Sequence, residues 1–493
     1  MTEKFVLAYS GGLDTSVLIK YLQEKYKAEV ITVTVDVGQQ EDLKAAEEKA
    51  KKLGALKHYY IDARDEFVKD YIFPAVKANA LYEGKYPIST SLSRPLIAAK
   101  MIEVAEKEGA TGLAHGCTGR GNDQVRFDVT LGSLAPDLKI IAPVREWGMT
   151  RDEEIAYAKT KGIPVSTAAK KFSIDASVWG RAIECGLLED ASQEPPEDAY
   201  EWTVAPEKAP NTPEYVTIQF EAGIPVSVNK EKQTPLELIE TLNKIAGKHG
   251  VGRIDHIEDR LVGIKSREVY ECPAATVILE AHKDLEKMVM TRHEVMFKQQ
   301  VDAEWVFLAY AGLWVDPLKE DLDAFINRSQ ENVNGEVRLK LYKGGLQVVG
   351  RSSPMSLYDK NLANYNIKTS FNQSYSKGFI ELWGLQTRMY NALKRTAAKM
   401  TKKSKIKITD EQIAEKLNQT ETPMTTHDLL VAFGYTNKQA SELSLRTFFR
   451  KRGKAQMKID APKRLFTMNE HVNGKTKFVF ESVQTKKKGA KPA

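Results

Sequence analysis

The sequence predicts a multidomain α/β protein: a parallel sheet covered by helices, then an α+β domain of antiparallel strands, a long helix and a small basic α+β extension. Three observations predict it. Over the first 62 residues, short apolar or β-branched runs alternate with amphipathic stretches at the β-α-β-α-β spacing of a parallel sheet. After Phe172 the pattern changes to alternating apolar and polar residues, the period of half-buried antiparallel strands. Charge is also unevenly placed. Met400–Ala493 carries 20 Lys and Arg against 9 Asp and Glu, a net +11, whereas the first 399 residues carry 52 against 57, a net −5. A mildly acidic body with a basic end suggests an appended module that has its own partner.

Each element has a local reason. Phe5–Tyr9 is a short apolar run, and Thr15–Tyr26 places Val17, Leu18, Tyr21 and Leu22 on one helical face. Val30–Asp36 (VITVTVD) is rich in β-branched residues and reads as a strand. Glu41–Leu53 is a second amphipathic helix stopped by Gly54, and Lys57–Asp62 is a third strand. A helix over Arg94–Glu108 follows, with strands near Gly112–His115 and Leu138–Ala142. A helix over Arg151–Lys161, announced by Thr150 with Glu153 three residues on, closes a first domain that ends near residue 165. Next, proline and glutamate cluster in the loops QEPPED (193–198) and PEKAPNTPEY (206–215). TPLELIETLNKIAGKHG (234–250) is a helix, and RLKLYKGGLQVVGRSS (338–353) alternates as paired strands do, so an α+β domain is expected to about residue 372. Ile380–Met400, with Trp383, Leu385, Met389, Tyr390 and Leu393, is a helix suited to reach another subunit. In the tail, Thr409 and Gln412 form a capping pair for a short helix, His427–Phe433 is a second helix stopped by Gly434, and Asn437 caps a third over Lys438–Arg452. Lys463–Val472 and Lys475–Val483 flank Asn473 and Gly474, a strong hairpin signal. Three helices followed by a hairpin is the order of a winged-helix module.

Composition removes several classes. The 493 residues allow about three domains at ~150 residues each. With 42% hydrophobic and 28% charged residues, the chain is not collagenous, mucin-like or wholly disordered. The best apolar run, Trp305–Val315, is far shorter than the ~18 residues of a membrane span. It contains Gly312 and stops at Asp316, so it is expected to be a buried strand. The opening MTEKFVLAYS reads as a strand, and no signal or transit peptide is expected. Cys117, Cys185 and Cys272 are far apart and form no C-x-x-C pair, which argues against a disulfide scaffold or cysteine zinc site and fits a reducing, cytoplasmic compartment. The eight histidines show no metal-binding spacing.

The sharpest feature is AYSGGLDTS, Ala8–Ser16, between the first strand and the first helix. Gly11 and Gly12 permit backbone angles and close approach that side chains would block. The helix that follows offers unpaired N–H groups and a partial positive charge, and Ser10, Thr15 and Ser16 add hydroxyls. Together they make a cradle for phosphate oxygens. The loop has no lysine, so it is not G-x-x-x-x-G-K-[ST]; the near match at Gly345–Ser352 has Arg351 in the lysine position and reads as a strand edge. A second cluster, HGCTGRGNDQVRF (115–127), follows a strand, where ligand loops sit in open α/β sheets. It gathers Thr118, Asn122, Asp123 and Arg126 in nine residues; His115 supports the loop and Cys117 is a spectator thiol. A third, YPISTSLSRP (86–95), is a turn and a helix start.

S-G-G-x-D-[ST] after a first strand resembles the pyrophosphate loop of ATP pyrophosphatases. The three clusters in this order resemble the argininosuccinate synthase family over about residues 1–400, and KFSIDASVWGRAIECGLLED (171–190), GVGRIDHIEDRLVGIKSREVYE (250–271) and GRSSPMSLYD (350–359) strengthen the likeness. The resemblance implies an ATP-pyrophosphatase-type nucleotide-binding domain (1–165), an α+β synthetase domain (166–372) and an oligomerisation helix (373–400) of a homotetramer; it ends before the basic extension (401–493), whose winged-helix-like order is read from the residues alone. It implies that citrulline and aspartate are joined using ATP, through a citrullyl-adenylate, with release of AMP and pyrophosphate. ATP would contact Ala8, Tyr9, Ser10, Gly11, Gly12, Leu13, Asp14, Thr15, Ser16, Thr34 and Gly116. Aspartate would meet Thr118, Asn122 and Asp123, and citrulline would meet Tyr86, Ser91, Asn122, Arg126, Ser173, Glu258 and Tyr270. Where the family often has a second citrulline-holding serine, this chain has Ala182. No residue must act as a covalent nucleophile. Asp14, Asp123 and Arg126 are candidates for positioning: Asp14 toward Mg²⁺ and pyrophosphate, Asp123 toward an ammonium group, Arg126 as a bidentate clamp on a carboxylate.

Two rivals stand beside this. A tRNA-modifying ATP pyrophosphatase would share the first loop and hold RNA with the basic tail, though such sulfur-transfer enzymes need paired cysteines. A nucleic-acid-binding or regulatory protein would act through the tail alone, where Arg446, Arg450, Lys451, Arg452 and Lys454 cluster and Phe448 and Phe449 would pack inward, with nucleic acid or an acidic protein as partner.

Overall fold

The computed structural model describes residues 2–39, 43–165, 171–365 and 370–403; beyond these it describes residues 426–435, 464–472, 475–482 and a few single positions. The chain forms two compact units, Met1–Tyr365 and Asn366–Ala493.

The first unit opens with the expected alternation: β1 (Lys4–Ala8), α1 (Leu13–Lys25), β2 (Glu29–Asp36), α2 (Leu43–Lys52) and β3 (Lys57–Asp62). Short helices α3 (Arg64–Phe67) and α4 (Phe73–Lys77) lead to α5 (Ser93–Glu108), β4 (Gly112–Ala114), α6 (Asp123–Leu134), β5 (Lys139–Ile141), α7 (Pro143–Trp147) and α8 (Arg151–Thr160). The five strands form one parallel sheet in the order β3-β2-β1-β4-β5. Both faces are covered, which is why β2 is buried along its length beyond Glu29. Phe5 and Leu7 pack with Val17, Leu18 and Leu22 of α1, while Val6, Ile31 and Val33 pack with Leu96 and Met101 of α5. Thr150 and Glu153 form the expected capping box at α8. Because the order reverses between β2 and β4 on either side of β1, a crevice opens at the carboxyl ends of β1 and β4, where ligands bind in open α/β sheets.

Beyond it lie two antiparallel sheets. β6 (Ser173–Ser177), β7 (Gly180–Glu184), β11 (Arg253–Asp259) and β12 (Lys265–Glu271) form one in the order β11-β12-β7-β6. β8 (Glu214–Glu221), β9 (Ile224–Val228), β10 (Glu231–Lys232), β13 (Gly335–Tyr342) and β14 (Gly345–Ser352) form the other, with β14 at its edge, as the reading of Gly345–Ser352 expects. Helices α9 (Pro235–Lys248), α10 (Pro273–Val289), α11 (Arg292–Tyr310) and α12 (Pro317–Gln330) complete the layer. Two expectations fail. Trp305–Val315 is not a strand: Trp305–Tyr310 is the last part of α11, which starts at a capping box of Thr291 and Glu294 and buries Trp305, Val306, Leu308 and Ala309. A continuous apolar run such as Trp305–Ala311 fits either period, and the mixed start of the helix, Arg292–Gln300, hides its length. The single helix over 380–400 is instead two, α14 (Tyr375–Trp383) and α15 (Leu385–Lys403), broken at Gly384. They follow α13 (Lys360–Ala363).

In the tail, α16 (Thr426–Ala432) precedes Gly434 at φ +87°, as expected. β15 (Arg464–Val472) and β16 (Lys475–Ser482) pair antiparallel with Val472 opposite Lys475, the predicted hairpin. The helices expected after Thr409 and over Lys438–Arg452, with the basic cluster and Phe448 and Phe449, lie outside the described residues. Among the described residues no helix is long and apolar enough to cross a membrane.

Candidate functional site

At the end of β1 the chain turns through Ser10–Gly12 into α1. Gly11 sits at φ +75°, and a Cβ there would come within 3.2 Å of Ala46 Cβ, so the left-handed turn needs glycine. Gly12 precedes α1 in extended backbone, and no side chain caps the helix. The hydroxyls are tied to the loop: Ser10 Oγ lies 3.2 Å from Thr15 Oγ1, and Ser16 Oγ donates to the Gly12 carbonyl at 2.6 Å. Tyr9 Oη lies 3.3 Å from Ser16 Oγ, and Thr34, buried on β2, donates to the Tyr9 carbonyl at 2.6 Å. Asp14 stands half-buried in the first turn of α1. The second loop meets the first here, because a Cβ on Gly116 would lie 3.1 Å from Leu18 Cδ1 and 3.5 Å from Thr15 Cγ2.

His115 braces that second loop. Its Nδ1 accepts from the Cys117 N–H at 3.3 Å, so Nε2–H donates to Asp128 at 2.7 Å. Burial pushes the Cys117 thiol far above its ordinary range, which leaves it un-ionised and unreactive at neutral pH. Thr118 is exposed on the loop. Asn122 is buried, its Nδ2 donating to Tyr310 Oη at 2.7 Å and its Oδ1 accepting from the Leu261 N–H at 2.9 Å, which leaves one N–H and one lone pair of the amide for a ligand. Asp123 is gripped on both oxygens, by Arg126 Nη1 at 2.8 Å and by Arg94 at 2.8–2.9 Å. Burial alone would raise its carboxyl, but the two guanidinium groups hold it well below the carboxylate range. Arg126 also donates through Nε to the Tyr310 carbonyl at 2.9 Å and lies 4.8 Å from that ring. Three of its five N–H donors, on Nη1 and Nη2, are left for a substrate.

The citrulline candidates are collected by a sheet face. Directly opposed residues on antiparallel strands point to the same side. The register pairs Asp175 with Ala182 and Ala182 with Tyr270; two residues along, on the same face, it pairs Ser173 with Glu184. Glu258 projects from β11 on the same alternation as Ile254, which faces Tyr270. Ile183 and Val269, one residue out of phase, pack with Phe172 and Leu188 on the opposite side. On the site side, Tyr270 Oη donates to Glu258 at 2.6 Å, Tyr310 Oη donates to the other Glu258 oxygen at 2.8 Å, and the Tyr86 and Tyr270 rings stack at 4.1 Å. Tyr86 is buried, bonded to Thr90, and its hydroxyl is pushed up to about 12 by burial. Ser91 is fully buried, and its hydroxyl has no hydrogen-bond partner among the described residues. Ser173 is exposed at the start of β6.

The expected residues therefore form three linked groups: the glycine loop with Gly116, the loop Thr118–Arg126, and the sheet face with Tyr86. Sequence inspection missed four residues that join them. Arg94 bonds both Asp123 and Asp175 and so ties α5 and α6 to β6. Asp175 stands two residues from Ser173 and Glu268 two from Tyr270, a period-2 signal that was available in the sequence. Tyr310, which meets Asn122, Glu258 and Arg126, had no local signal at the end of a helix. Burial, then Glu258 and Glu184, push the Glu268 carboxyl up to about 8.

Comparison with known proteins follows the same lines. Residues 4–164 match the model of the arginosuccinate synthase N-terminal HUP domain, and residues 172–390 match the arginosuccinate synthase C-terminal domain. A Pyrococcus furiosus protein named argininosuccinate synthase is 60% identical over 391 residues, covering 79% of this chain and 95% of its own length. A Dehalococcoides mccartyi protein of the same name is 56% identical, covering 79% and 96%, and one from Methanocaldococcus jannaschii is 56% identical, covering 79% and 98%. A solved structure described as a predicted subunit of tRNA methyltransferase from Methanocaldococcus jannaschii is 19% identical, covers 32% of this chain and 76% of its own, and has a TM-score of 0.23, which carries no weight. With both domains matched and relatives aligned over nearly their whole lengths, the chain belongs to the argininosuccinate synthase family.

Proposed function

We infer that this protein is an ATP-dependent carbon–nitrogen ligase that joins citrulline and aspartate and releases AMP and pyrophosphate, a reaction of arginine biosynthesis. One observation carries the mechanism: the glycine loop and the Gly116 loop meet at the switch point of the parallel sheet, and the loop running on to Arg126 is linked through Arg94 to Asp175 of β6 and through Tyr310 to Glu258 of β11. Nucleotide phosphate at the first loop would then lie beside amino-acid substrates at the second.

The ureido carbon of citrulline is resonance-stabilised and its oxygen is a poor leaving group. Transfer of adenylyl to that oxygen makes AMP the departing group, and the aspartate amine then attacks the activated carbon. In the first step Ala8–Ser16 would hold pyrophosphate through backbone N–H groups and the start of α1, with Thr34 and Gly116 at the nucleotide. Asp14 would share Mg²⁺ with the phosphates; one half-buried carboxylate fits a cation that usually keeps waters and takes only one or two protein carboxylates. Mg²⁺ would offset charge on the departing diphosphate. In the second step Thr118, Asn122 and Asp123 would hold aspartate, and Tyr86, Ser91, Asn122, Arg126, Ser173, Glu258 and Tyr270 would hold citrulline. Catalysis would come from orientation, which supplies up to roughly 7–11 kcal/mol.

The domain division at residues 165, 372 and 400 is retained as part of this proposal, as is a cytoplasmic setting. A homotetramer is supported by α14 and α15, where Phe379, Leu382, Trp383 and Leu393 are 57%, 76%, 71% and 69% exposed. For residues 401–493 the net +11 supports a phosphate-rich or acidic partner. The test is pyrophosphate release from ATP. Strict dependence on citrulline and aspartate is expected, and release driven by tRNA instead would replace this function with the RNA-modifying one.

A further inference from the structure

The glycine loop contains no lysine, yet a lysine reaches it from the neighbouring helix. Lys49, half-buried on α2, donates through Nζ to the Gly11 carbonyl at 2.8 Å. This bond has a geometric consequence. The described peptides are all trans, and in a trans peptide the carbonyl of one residue and the N–H of the next point in opposite directions. Drawing the Gly11 carbonyl toward α2 turns the Gly12 N–H to the other side of the chain, where it donates to Ser10 Oγ in a long bond of 3.4 Å. Gly11 itself holds φ +75° with α2 against it, its built Cβ position 3.2 Å from Ala46 Cβ. Ala46 and Lys49 lie three residues apart, on neighbouring positions of one helix face. One turn of α2 therefore both packs against the left-handed glycine and fixes the peptide that follows it.

We propose that Lys49 is a positioning residue for the pyrophosphate cradle: its ammonium holds the Gly11–Gly12 peptide so that the Gly12 N–H faces the anion. It acts from behind the loop, through the backbone. Without it, the peptide between two glycines has little to stop it rotating, because glycine adopts the alternative angles at low cost. The loop would then turn a carbonyl oxygen toward the phosphates for part of the time, and an anion would meet an acceptor where a donor is needed. The proposal rests on Ala8–Ser16 being the pyrophosphate site.

The experiment uses Lys49→Met, Lys49→Arg and Ser10→Ala in the full chain. It measures inhibition by added pyrophosphate and the KM for ATP, citrulline and aspartate in AMP formation. Lys49→Met should weaken pyrophosphate inhibition and raise the KM for ATP by about tenfold, the size expected for losing one hydrogen bond from a charged group. The KM values for citrulline and aspartate should stay within about twofold, and Lys49→Arg, which keeps a charged donor, should recover most of the loss. A purely structural loss would move all three substrates together. If Lys49→Met leaves pyrophosphate inhibition at the wild-type level while Ser10→Ala weakens it, the role of Lys49 is overturned and the loop assignment stands. If neither variant alters pyrophosphate inhibition, the loop is not the pyrophosphate site. Should Lys49→Met not fold, Lys49→Ala carries the same comparison.

Discussion

Ala182 stands on β7 between Asp175 of β6 and Tyr270 of β12, 6% exposed and facing the side of the sheet that bears Glu258. A methyl there gives a substrate no donor. Ala182→Ser would add a hydroxyl beside the proposed citrulline position at little cost in volume. One neutral hydrogen bond is worth ~1 kcal/mol, so the KM for citrulline should fall roughly fivefold while that for ATP stays unchanged. A rise in citrulline KM would mean that the hydroxyl is buried unpaired and that citrulline does not pass this strand. Glu268 supplies a second test on the same face, through pH. Burial and the nearby Glu258 and Glu184 raise its carboxyl from 4.5 to about 8, against the Tyr270 hydroxyl and Arg260. Between those values the folded chain binds a proton that the unfolded chain has released, so stability falls as pH rises through this window and levels off above it. Melts across the window should show Tm of the wild type declining relative to Glu268→Gln, which cannot titrate. Parallel Tm curves would show that Glu268 is ionised in the folded chain throughout.

Helix α11 carries Tyr310 to the site, and its exit is fixed by close backbone packing. Gly312 has φ +80°, and a Cβ on it would lie 2.7 Å from Arg126 Cα in the first turn of α6. Gly312→Ala would therefore add the left-handed penalty to a clash with backbone that cannot swing away, at a cost of at least ~1 kcal/mol. Arg126, Asn122 and Tyr310 should shift together. We expect a lower Tm and a fall in kcat of tenfold or more, with the KM for ATP little changed because the glycine loop is on another strand. An unaltered kcat would show that α11 only roofs the site. The same contact explains why part of the site was legible in the sequence and part was not. β1, α1 and the glycine loop are contiguous, so their period, turn residues and cradle appear within about twenty residues. Asp175 and Glu268 were legible in principle, since strand parity links them to Ser173 and Tyr270. Tyr310 and Asn122 are 188 positions apart, and Lys49 and Gly11 are 38 apart; both bonds depend on helices packing across the sheet, which local pattern does not encode. The misassigned run Trp305–Val315 failed for a related reason: its burial comes from tertiary packing of α11, and no period-2 or period-3.6 rhythm survives in so short a stretch.

Every residue assigned to substrate, from Ala8 to Tyr270, lies in the unit Met1–Tyr365, whereas the apolar face of α14 and α15 and the basic tail lie in Asn366–Ala493. The family models stop at residue 390, so the family's chemistry and the tail's charge occupy separate stretches of chain. This separation makes the contributions independently removable. Deleting residues 404–493 should leave citrulline-dependent pyrophosphate release within about twofold of the full chain, because the deletion takes no site residue and leaves α14 and α15 in place. Charging the apolar face, with Leu382→Asp and Trp383→Asp together, should instead lower the assembly mass in sedimentation. Those side chains are 76% and 71% exposed in one copy, and an aspartate pair would have to be desolvated for copies to meet there. The deletion also isolates the tail's charge. If the tail meets phosphates, the full chain will retain on duplex DNA with an affinity that falls steeply with salt, and the shortened chain, net −5 over its first 399 residues, will not. Equal, salt-insensitive retention of both would remove nucleic acid as the partner, and a large loss of pyrophosphate release on deletion would place the tail inside the catalytic cycle.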